Sequence, residues 1–548
     1  MDETIEQLTF PYLFAETKKK HAARPAMSMI GEKHITYHEL DLKIKALIAW
    51  LEKLGVSRGD KVAILSASIP NWGASYYAIT FMGAIVVPIL PDFHSSEIRN
   101  ILKHSEAGVL LVSDGLMHKV HDLDADLTPV RIRIEDFTLI GNNDKFDTFD
   151  LNAIPAKQYQ VTEEDLAAII YTSGTTGKSK GVMLTHRNIC FTARMSERVQ
   201  EINENDRFLS VLPLSHTYEN TIGLIFPMTK GACIYYLGKA PSPSVLLPAL
   251  KEIKPTVMLT VPLIIEKIFR NRIKPKFSKN IILRLAVHIP FIRRKLNMIA
   301  GKKLLETFGG ELRFFGIGGA KLNKTVERFL IEARFPYAIG YGLTETSPLL
   351  AGSNPRNSRL QSTGPAISGI ELIINNPDKL TGEGEIWAKG PNVMKGCYKE
   401  PELTSEVLTP DGWFRTGDLG IFDNDEFLYI RGRLKNMIVR SGGENIFPEE
   451  IESVINNFKH VVDSLVLERN GKLVALVHFN MEEITEMYHL SKAEDIVNTA
   501  VVTKKLLIEL QAYVNHRVNK YSQIQEVILQ PEPFEKTATL KIRRYLYT

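Results

Sequence analysis

A short stretch rich in glycines, hydroxyls and lysines is the strongest chemical signal in the chain. It reads AIIYTSGTTGKSKG over residues 168–181, an apolar run that ends in a turn. Glycines let a backbone approach phosphates closely, hydroxyls and amides donate hydrogen bonds, and lysines supply charge. The residue five positions before Gly177 is Thr172 rather than glycine, so the stretch is not a Walker A loop. The pattern predicts a phosphate-binding loop of another kind.

Three further motifs carry groups that suit a nucleotide. YGLTE at 341–345 offers an aromatic face for a base, a hydroxyl for a phosphate and a carboxylate for Mg²⁺. DGWFRTGD at 411–418 ends in a carboxylate that can accept two hydrogen bonds from a ribose diol. FGIGGA at 315–320 follows a predicted strand and is a weak signal when taken alone. An ordinary polar turn would also account for YGLTE on its own.

Three other segments gain meaning only from their order in the chain. LPLSHTYE at 212–219 places a histidine after a strand end, where a structural role is the commoner one. GRLKNMIVRSGG spans 432–443, and KTATLKIRR spans 536–544 near the C-terminus, where a lone lysine is normally just solvated.

In this order the motifs resemble those of the adenylate-forming (AMP-binding) superfamily, which includes acyl-CoA synthetases, luciferases and peptide-synthetase adenylation domains. The resemblance covers about Thr36 to Arg544 and is greatest to long-chain fatty acyl-CoA synthetases. Asn436 stands where an aspartate is common in the family. This mild departure leaves the neighbouring Lys435 as the expected hinge between the two domains. Leu540 stands where many members have glycine, and long-chain fatty acyl-CoA synthetases often have a bulky residue there.

The resemblance implies a role for each matched residue. Lys541, Glu345, Thr344 and His216 would be catalytic, with Glu345 also holding Mg²⁺. Lys435 would be the interdomain hinge, and Ser441, Gly442 and Gly443 would line the coenzyme A tunnel. The expected ATP-binding residues are Thr172, Ser173, Gly174, Thr175, Thr176, Gly177, Lys180, Gly318, Gly319, Ala320, Tyr341, Gly342, Asp418 and Arg433.

Hydrophobic periodicity predicts the elements that position these motifs. Helical periods alternate with short apolar strands from Ile35 to Asp114 and again after Asn203, which favours doubly wound parallel sheets. Shorter strands after Gln361 indicate a β-rich subdomain, and a compact α+β segment with a long helix near 503–520 follows Asn436. We therefore expect an α/β protein with an N-terminal domain at 1–432 and a small C-terminal domain at 433–548, which the resemblance implies is mobile.

Composition narrows the class of protein. A chain of 548 residues needs more than one domain, and a net charge of +4 is too small for a nucleic-acid-binding protein. Cys190, Cys233 and Cys397 lack paired spacing, which favours a reducing compartment over a disulfide framework or zinc site. The start shows no secretory pattern. Residues 62–91 lack charge, but prolines and glycines divide them into a helix and strands rather than a membrane span.

One segment is unusually basic. Residues 270–303 contain no acidic residue. A solvated basic face is one interpretation, and a patch facing phosphates of lipid or of coenzyme A is the other. The basic residues are Arg270, Arg272, Lys274, Lys276, Lys279, Arg284, Arg293, Arg294, Lys295, Lys302 and Lys303.

The sequence thus predicts an ATP-dependent ligase that converts a long-chain fatty acid to acyl-AMP and then to acyl-CoA. Its substrates would be fatty acid, ATP and coenzyme A, with Mg²⁺. Two alternatives stay open, an acyl-AMP ligase that loads a carrier protein and a non-catalytic acyl- or nucleotide-binding protein. We expect a cytoplasmic protein without a nucleic-acid partner, and a homodimer and contact with the inner face of the membrane are left open.

Overall fold

The computed structural model shows a mixed α/β chain whose described strands form five sheets. The residues it describes are 7–123, 127–128, 130–141, 148–173, 179–239, 241–278, 285, 288–439, 445–488, 496–537 and 541–547. The predicted doubly wound architecture, with a β-rich part and a smaller α+β C-terminal part, is confirmed among these residues.

An eight-stranded sheet carries two of the predicted nucleotide motifs. Its six central strands are parallel and its two edge strands run antiparallel. The central strands are short apolar runs because helices cover both faces. In spatial order the strands are Leu349–Gly352, Tyr337–Gly342, Phe314–Ile317, Val257–Thr260, Arg207–Ser210, Cys233–Tyr236, Pro25–Met29 and Ile35–Thr36.

A seven-stranded sheet carries the glycine-rich loop. Leu166–Ser173 pairs antiparallel with Ser179–Thr185, so the loop joins two neighbouring strands. The uncharged residues 62–91 form two strands of this sheet and the helix between them, as predicted. In spatial order the strands are Gly396–Cys397, Ser179–Thr185, Leu166–Ser173, Ile85–Ile89, Lys61–Leu65, Val109–Val112 and Val130–Arg133.

A four-stranded antiparallel sheet forms the predicted β-rich part. Its register places Asp418 directly opposite Arg433, which are the two residues predicted to hold the ribose. Its strands are Glu371–Asn375, Gly384–Lys389, Phe414–Phe422 and Leu428–Arg433.

The C-terminal segment, residues 438–547, has its own apolar core. Two small sheets belong to this part of the chain, and their strands are Ile438–Val439 with Asn445–Ile446, and Val461–Arg469 with Lys472–Phe479 and Glu526–Leu529. The long helix was predicted near 503–520 but spans Ile496–Asn515. It ends early because the Asn515 side chain bonds both backbone groups of Ile524 and turns the chain toward the last strand.

The helices cover the sheets on both sides. The one at Tyr37–Lys53 begins with a capping box in which Thr36 and Glu39 satisfy each other's backbone amides. Within the described part of the chain, no helix is long and apolar enough to cross a membrane. The α-helices are Phe10–His21, Tyr37–Lys53, Pro70–Phe81, Ser95–Ser105, His186–Val199, Phe226–Met228, Pro243–Ile253, Pro262–Ile268, Lys274–Ser278, Pro290–Thr307, Lys324–Glu332, Pro401–Val407, Pro448–Ile455, Met481–Met487 and Ile496–Asn515.

Shorter or wider turns link several of these elements. The π-helical turns are Glu219–Ile225 and Phe269–Ile273. The 3-10 turns are Asp114–Lys119, Thr344–Thr346, Leu434–Asn436, Lys520–Ser522 and Arg544–Leu546.

Candidate active site

A buried carboxylate with two fixed partners forms one corner of the site. The Tyr341 hydroxyl donates to Asp418 Oδ2 at 2.9 Å, and Arg433 Nε lies 2.9 Å from Oδ1. Burial raises the pKa of Asp418, and the Arg433 charge opposes that shift. Each carboxylate oxygen keeps a further lone pair, so the arrangement can accept hydrogen bonds from a diol.

A second charged pair bridges the two large sheets. Lys180 Nζ lies 2.6 Å from Glu345 Oε1. Lys180 belongs to the strand Ser179–Thr185, whereas Glu345 lies in the 3-10 turn that follows a strand of the other sheet. Burial lowers the pKa of Lys180, but the Glu345 carboxylate outweighs this effect and the pKa is raised. Thr344, half-buried, occupies the same turn as Glu345.

Gly342 permits a very close backbone approach beside this turn. A Cβ atom there would lie 1.6 Å from the carbonyl oxygen of Pro348. No side chain fits in that space, so the chain can turn from the strand Tyr337–Gly342 into the Glu345 turn only with glycine at this position.

The FGIGGA segment becomes exposed to solvent just after its central strand ends. Gly318 is buried against the Tyr218 ring, with a hypothetical Cβ atom 3.2 Å from it. Gly319 has a φ of +84° and is exposed, as is Ala320. The backbone of this segment is therefore accessible where the resemblance places the adenine.

Lys541 reaches this group from the C-terminal segment. Lys541 is exposed, yet its pKa is lowered, chiefly by desolvation and then by the Arg433 charge. Asp418 and Glu345 act in the opposite direction. His216 is half-buried, and desolvation together with the Lys541 charge lowers its pKa to about 4. Five residues predicted from separate motifs thus influence one another's charge across one cleft.

A salt bridge that the sequence analysis missed lies two residues after Lys541. Arg543 Nη2 is 3.1 Å from Glu97 Oε1, on the helix Ser95–Ser105 of the seven-stranded sheet. Both side chains are about one-fifth exposed. The KIRR string at residues 541–544 could have indicated a role for Arg543. Alternate residues of an extended chain point to the same side, so Arg543 should lie on the same side of the chain as Lys541.

A buried carboxylate at the end of LPLSHTYE was also missed. Glu219 is 1% exposed and begins the π-helical turn Glu219–Ile225. Burial raises the pKa of Glu219 to about 8. Turns of this kind are frequent at functional sites, and this one begins three residues after His216.

Other predicted residues are placed less fully. Thr172 has a buried hydroxyl that finds no hydrogen-bond partner among the described residues. Lys435 is exposed in the turn Leu434–Asn436, and the Asn436 side chain donates to Glu449 at 2.6 Å. The side chain of Ser173 lies outside the described part of the chain, as do Gly174, Thr175, Thr176 and Gly177 and the tunnel residues Ser441, Gly442 and Gly443.

The site suits a metal that is shared with a substrate rather than one in a protein cage. Among the described residues, no group of three or more His, Cys, Asp or Glu side chains converges on a metal position. Mg²⁺ usually takes one or two protein carboxylates and completes its shell with water and phosphate oxygens. Glu345, a nearly buried carboxylate in the turn of the YGLTE motif, fits that mode of binding.

The fold and this arrangement define an adenylate-forming enzyme. The chain belongs to the AMP-binding enzyme family, whose model matches residues 14–398. Among curated relatives it is 28% identical to the long-chain-fatty-acid–CoA ligase FadD15 of Mycobacterium bovis, covering 93% of this chain and 90% of that protein. It is 29% identical to the long-chain-fatty-acid–CoA ligase ACSBG2 of Rattus norvegicus, covering 84% and 75% respectively.

Solved structures share the fold over nearly the full length. ATP-bound MatB from Rhodopseudomonas palustris matches with a TM-score of 0.76 at 22% identity, covering 97% of both chains. The o-succinylbenzoate CoA synthetase MenE of Bacillus subtilis, in complex with ATP and a magnesium ion, matches with a TM-score of 0.76 at 23% identity. That match covers 97% of this chain and 98% of MenE.

Proposed function

We propose that this protein activates a long-chain fatty acid with ATP to give acyl-AMP and pyrophosphate, and then transfers the acyl group to coenzyme A. The relatives named as long-chain-fatty-acid–CoA ligases support the choice of acid and acceptor. The three cysteines are buried and free, which is consistent with a reducing, cytoplasmic location.

The observation that carries the proposal is the position of Lys541. Its ammonium group, supplied by the C-terminal segment, interacts electrostatically with Glu345, Asp418, Arg433 and His216. The resemblance implies that a cation here would lie between the expected carboxylate and α-phosphate positions. A purely nucleotide-binding protein would not need a second part of the chain to deliver it.

In the first step a carboxylate oxygen attacks the α-phosphorus of ATP and pyrophosphate leaves. Two anions must meet, so positive charge placed there in advance lowers the barrier. Lys541 would neutralise the carboxylate and the α-phosphate, and Asp418 with Arg433 would hold the ribose so that attack is in line. Mg²⁺ held by Glu345 would neutralise charge on the phosphates.

In the second step the coenzyme A thiol attacks the acyl carbonyl and AMP leaves. Lys541 would obstruct the thiol's approach if it stayed in place. We propose that residues 433–548 rotate about Lys435, which lies exposed in a short turn after the last strand of the four-stranded sheet. The rotation would withdraw Lys541 and present Ser441, Gly442 and Gly443 to the pantetheine arm.

Release of AMP tests the reaction and the acid together. AMP and pyrophosphate would be measured with carboxylic acids from acetate to oleate, each with free coenzyme A, with a pantetheinylated carrier protein, and with neither. The proposal expects turnover that rises with chain length and requires free coenzyme A. Preference for the carrier would support an acyl-AMP ligase, and absence of pyrophosphate with every acid would contradict an enzymatic role.

A further inference from the structure

The helix Pro290–Thr307 has an outer face that packing does not explain. Phe291 is 65% exposed and Ile299 is 58% exposed. Ile292 and Met298 are exposed on the same helix. Large apolar side chains gathered on one exposed helix face mark an interaction site more often than isolated ones do.

The opposite face of this helix is firmly attached to the protein. Gly301 lies so close to the helix Lys324–Glu332 that a Cβ atom would be 2.5 Å from the carbonyl oxygen of Ala333. Arg293 pairs with Glu332 at 2.7 Å. The outer apolar side chains are therefore not a loosely packed part of the core.

Basic side chains alternate with these apolar ones. Arg294, Lys295, Lys302 and Lys303 are all exposed. Lys295 Nζ lies 4.4 Å from the centre of the Phe291 ring, so charge and apolar surface share one patch. The chain holds no acidic residue from 270 to 303, and Glu306 is the first on this helix.

We propose that this outer face binds the headgroup region of an anionic lipid bilayer. We call it the basic-apolar face, and it comprises Phe291, Ile292, Arg294, Lys295, Met298, Ile299, Lys302 and Lys303. Interfacial helices bury apolar side chains at the acyl boundary while their lysines and arginines pair with lipid phosphates. A second copy of this face is a poor partner because the two positive surfaces would repel each other.

This inference does not depend on which acid the site activates. The face lies on a helix that contributes none of the proposed catalytic or nucleotide-binding residues. Vesicle binding and AMP release can therefore succeed or fail separately, so each proposal has its own measurement.

Vesicle co-sedimentation of the full chain tests the proposal. Vesicles of phosphatidylcholine alone are compared with vesicles in which about one lipid in three is phosphatidylglycerol. We expect binding to the anionic vesicles at low salt and weaker binding at high salt, because screening shortens the reach of lysine charges. Absence of binding to anionic vesicles at low salt would overturn the proposal.

Two double variants locate the contact. Lys302→Glu with Lys303→Glu should reduce binding by about 25-fold or more, since each lysine near an anionic surface contributes roughly a fivefold factor. Phe291→Ser with Ile299→Ser should reduce it by about tenfold, because the apolar side chains no longer enter the acyl boundary.

The helix Ile496–Asn515 supplies matched controls. It exposes Val501 and Ile508 beside Lys504 and Lys505, so Lys504→Glu with Lys505→Glu makes the same change in net charge elsewhere. Val501→Ser with Ile508→Ser removes comparable apolar surface. These controls should bind vesicles as the unaltered protein does, and an equal loss in controls and test variants would contradict a localised face.

Two further measurements exclude indirect effects. All variants should keep their melting temperature and their AMP release in solution without vesicles, since the altered side chains touch no core or site residue. If light scattering instead found a dimer that the Phe291→Ser with Ile299→Ser variant dissociates, with unchanged vesicle binding, the face would be a self-association surface and the lipid proposal would be wrong.

Discussion

The two sources of the active site are held in place by very different interactions. Asp418, Arg433 and Glu345 lie on sheet strands or in the turn that follows one, and their positions are fixed by strand register and buried packing. Lys541 comes from a separate core, and the nearest contact that holds its segment against the seven-stranded sheet is the Arg543–Glu97 salt bridge.

This difference fits a site that must be assembled and dismantled in each cycle. The nucleotide-binding residues are needed in both steps, so rigid support is an advantage. In the proposed mechanism Lys541 is needed in the first step only, and a partly exposed ion pair contributes about 0–1 kcal/mol, which is easily broken. The residues held by the sheets and the lysine supplied by the C-terminal segment should therefore respond differently to substitution.

Of these substitutions, removal of the Lys541 charge should have the largest effect on activity. Lys541→Ala should slow acyl-AMP formation by about a thousandfold or more, because a charge aimed at the reacting oxygens is lost. Thioester formation from pre-made acyl-AMP should be largely spared. Pyrophosphate exchange and single-turnover thioester assays measure the two steps.

Lys504→Ala, which removes an exposed lysine from the same segment, is the control and should leave both steps intact. If Lys541→Ala damaged both steps equally, the lysine would not be a residue of the first step alone.

Loss of the rigid carboxylate should instead damage both steps. Asp418→Asn should lower kcat/KM for ATP by about a hundredfold, because a nearly buried acceptor of Tyr341 and Arg433 loses its charge. Use of pre-made acyl-AMP should fall as well, since AMP stays bound through the second step. Tyr341→Phe is the milder control, removing one hydrogen bond. A defect confined to pyrophosphate exchange would argue against ribose binding by Asp418.

The Arg543–Glu97 salt bridge, one of the contacts that hold the C-terminal segment in place, should matter less, and a charge swap should repair it. Arg543→Glu should slow acyl-AMP formation by about three- to tenfold, reflecting the modest strength of a partly exposed pair. Glu97→Arg combined with Arg543→Glu should recover most of the rate, whereas either change alone should not.

Thioester formation separates positioning from simple damage. It should be unchanged or faster in the single variants, since the segment leaves this position for the second step. If the double variant were no better than the single ones, the salt bridge would not position Lys541.

The sequence predicted residues that the structure brings near one another, but it did not predict the contacts that support them. Local motifs single out Asp418 and Glu345, whereas Lys541 is predicted only by the order of the motifs along the chain and the family resemblance that this order carries. The Glu97–Arg543 pair joins residues 446 positions apart, so no local pattern reveals that Glu97 is the partner of Arg543. The boundaries of the helix Ile496–Asn515 also failed, because a tertiary contact from Asn515 to Ile524 ends the helix before its apolar pattern does.

The two parts of the chain also differ in how they accommodate a buried carboxylate, which affects the stability of the fold. Burial raises the pKa of Glu219 to about 8 and that of Glu452, in the C-terminal segment, to about 7. Arg544 Nη2 lies 2.6 and 2.5 Å from the two Glu452 oxygens, whereas Glu219 Oε2 has no hydrogen-bond partner among the described residues. One carboxylate is compensated by a cation and the other is not.

The pH dependence of unfolding should separate these two carboxylates. Between its unfolded pKa, near 4.5, and about 8, Glu219 binds a proton in the folded state that the unfolded chain has lost, so stability falls as pH rises through this window. Glu219→Gln keeps a neutral side chain and should raise the melting temperature relative to the unaltered protein by about 3–5 °C at pH 9, with little difference at pH 5. Glu452→Gln should raise it by less at pH 9, because the Arg544 charge offsets part of the cost of the buried carboxylate. A melting difference for Glu219→Gln that stays constant from pH 5 to 9 would show that this carboxyl does not titrate late.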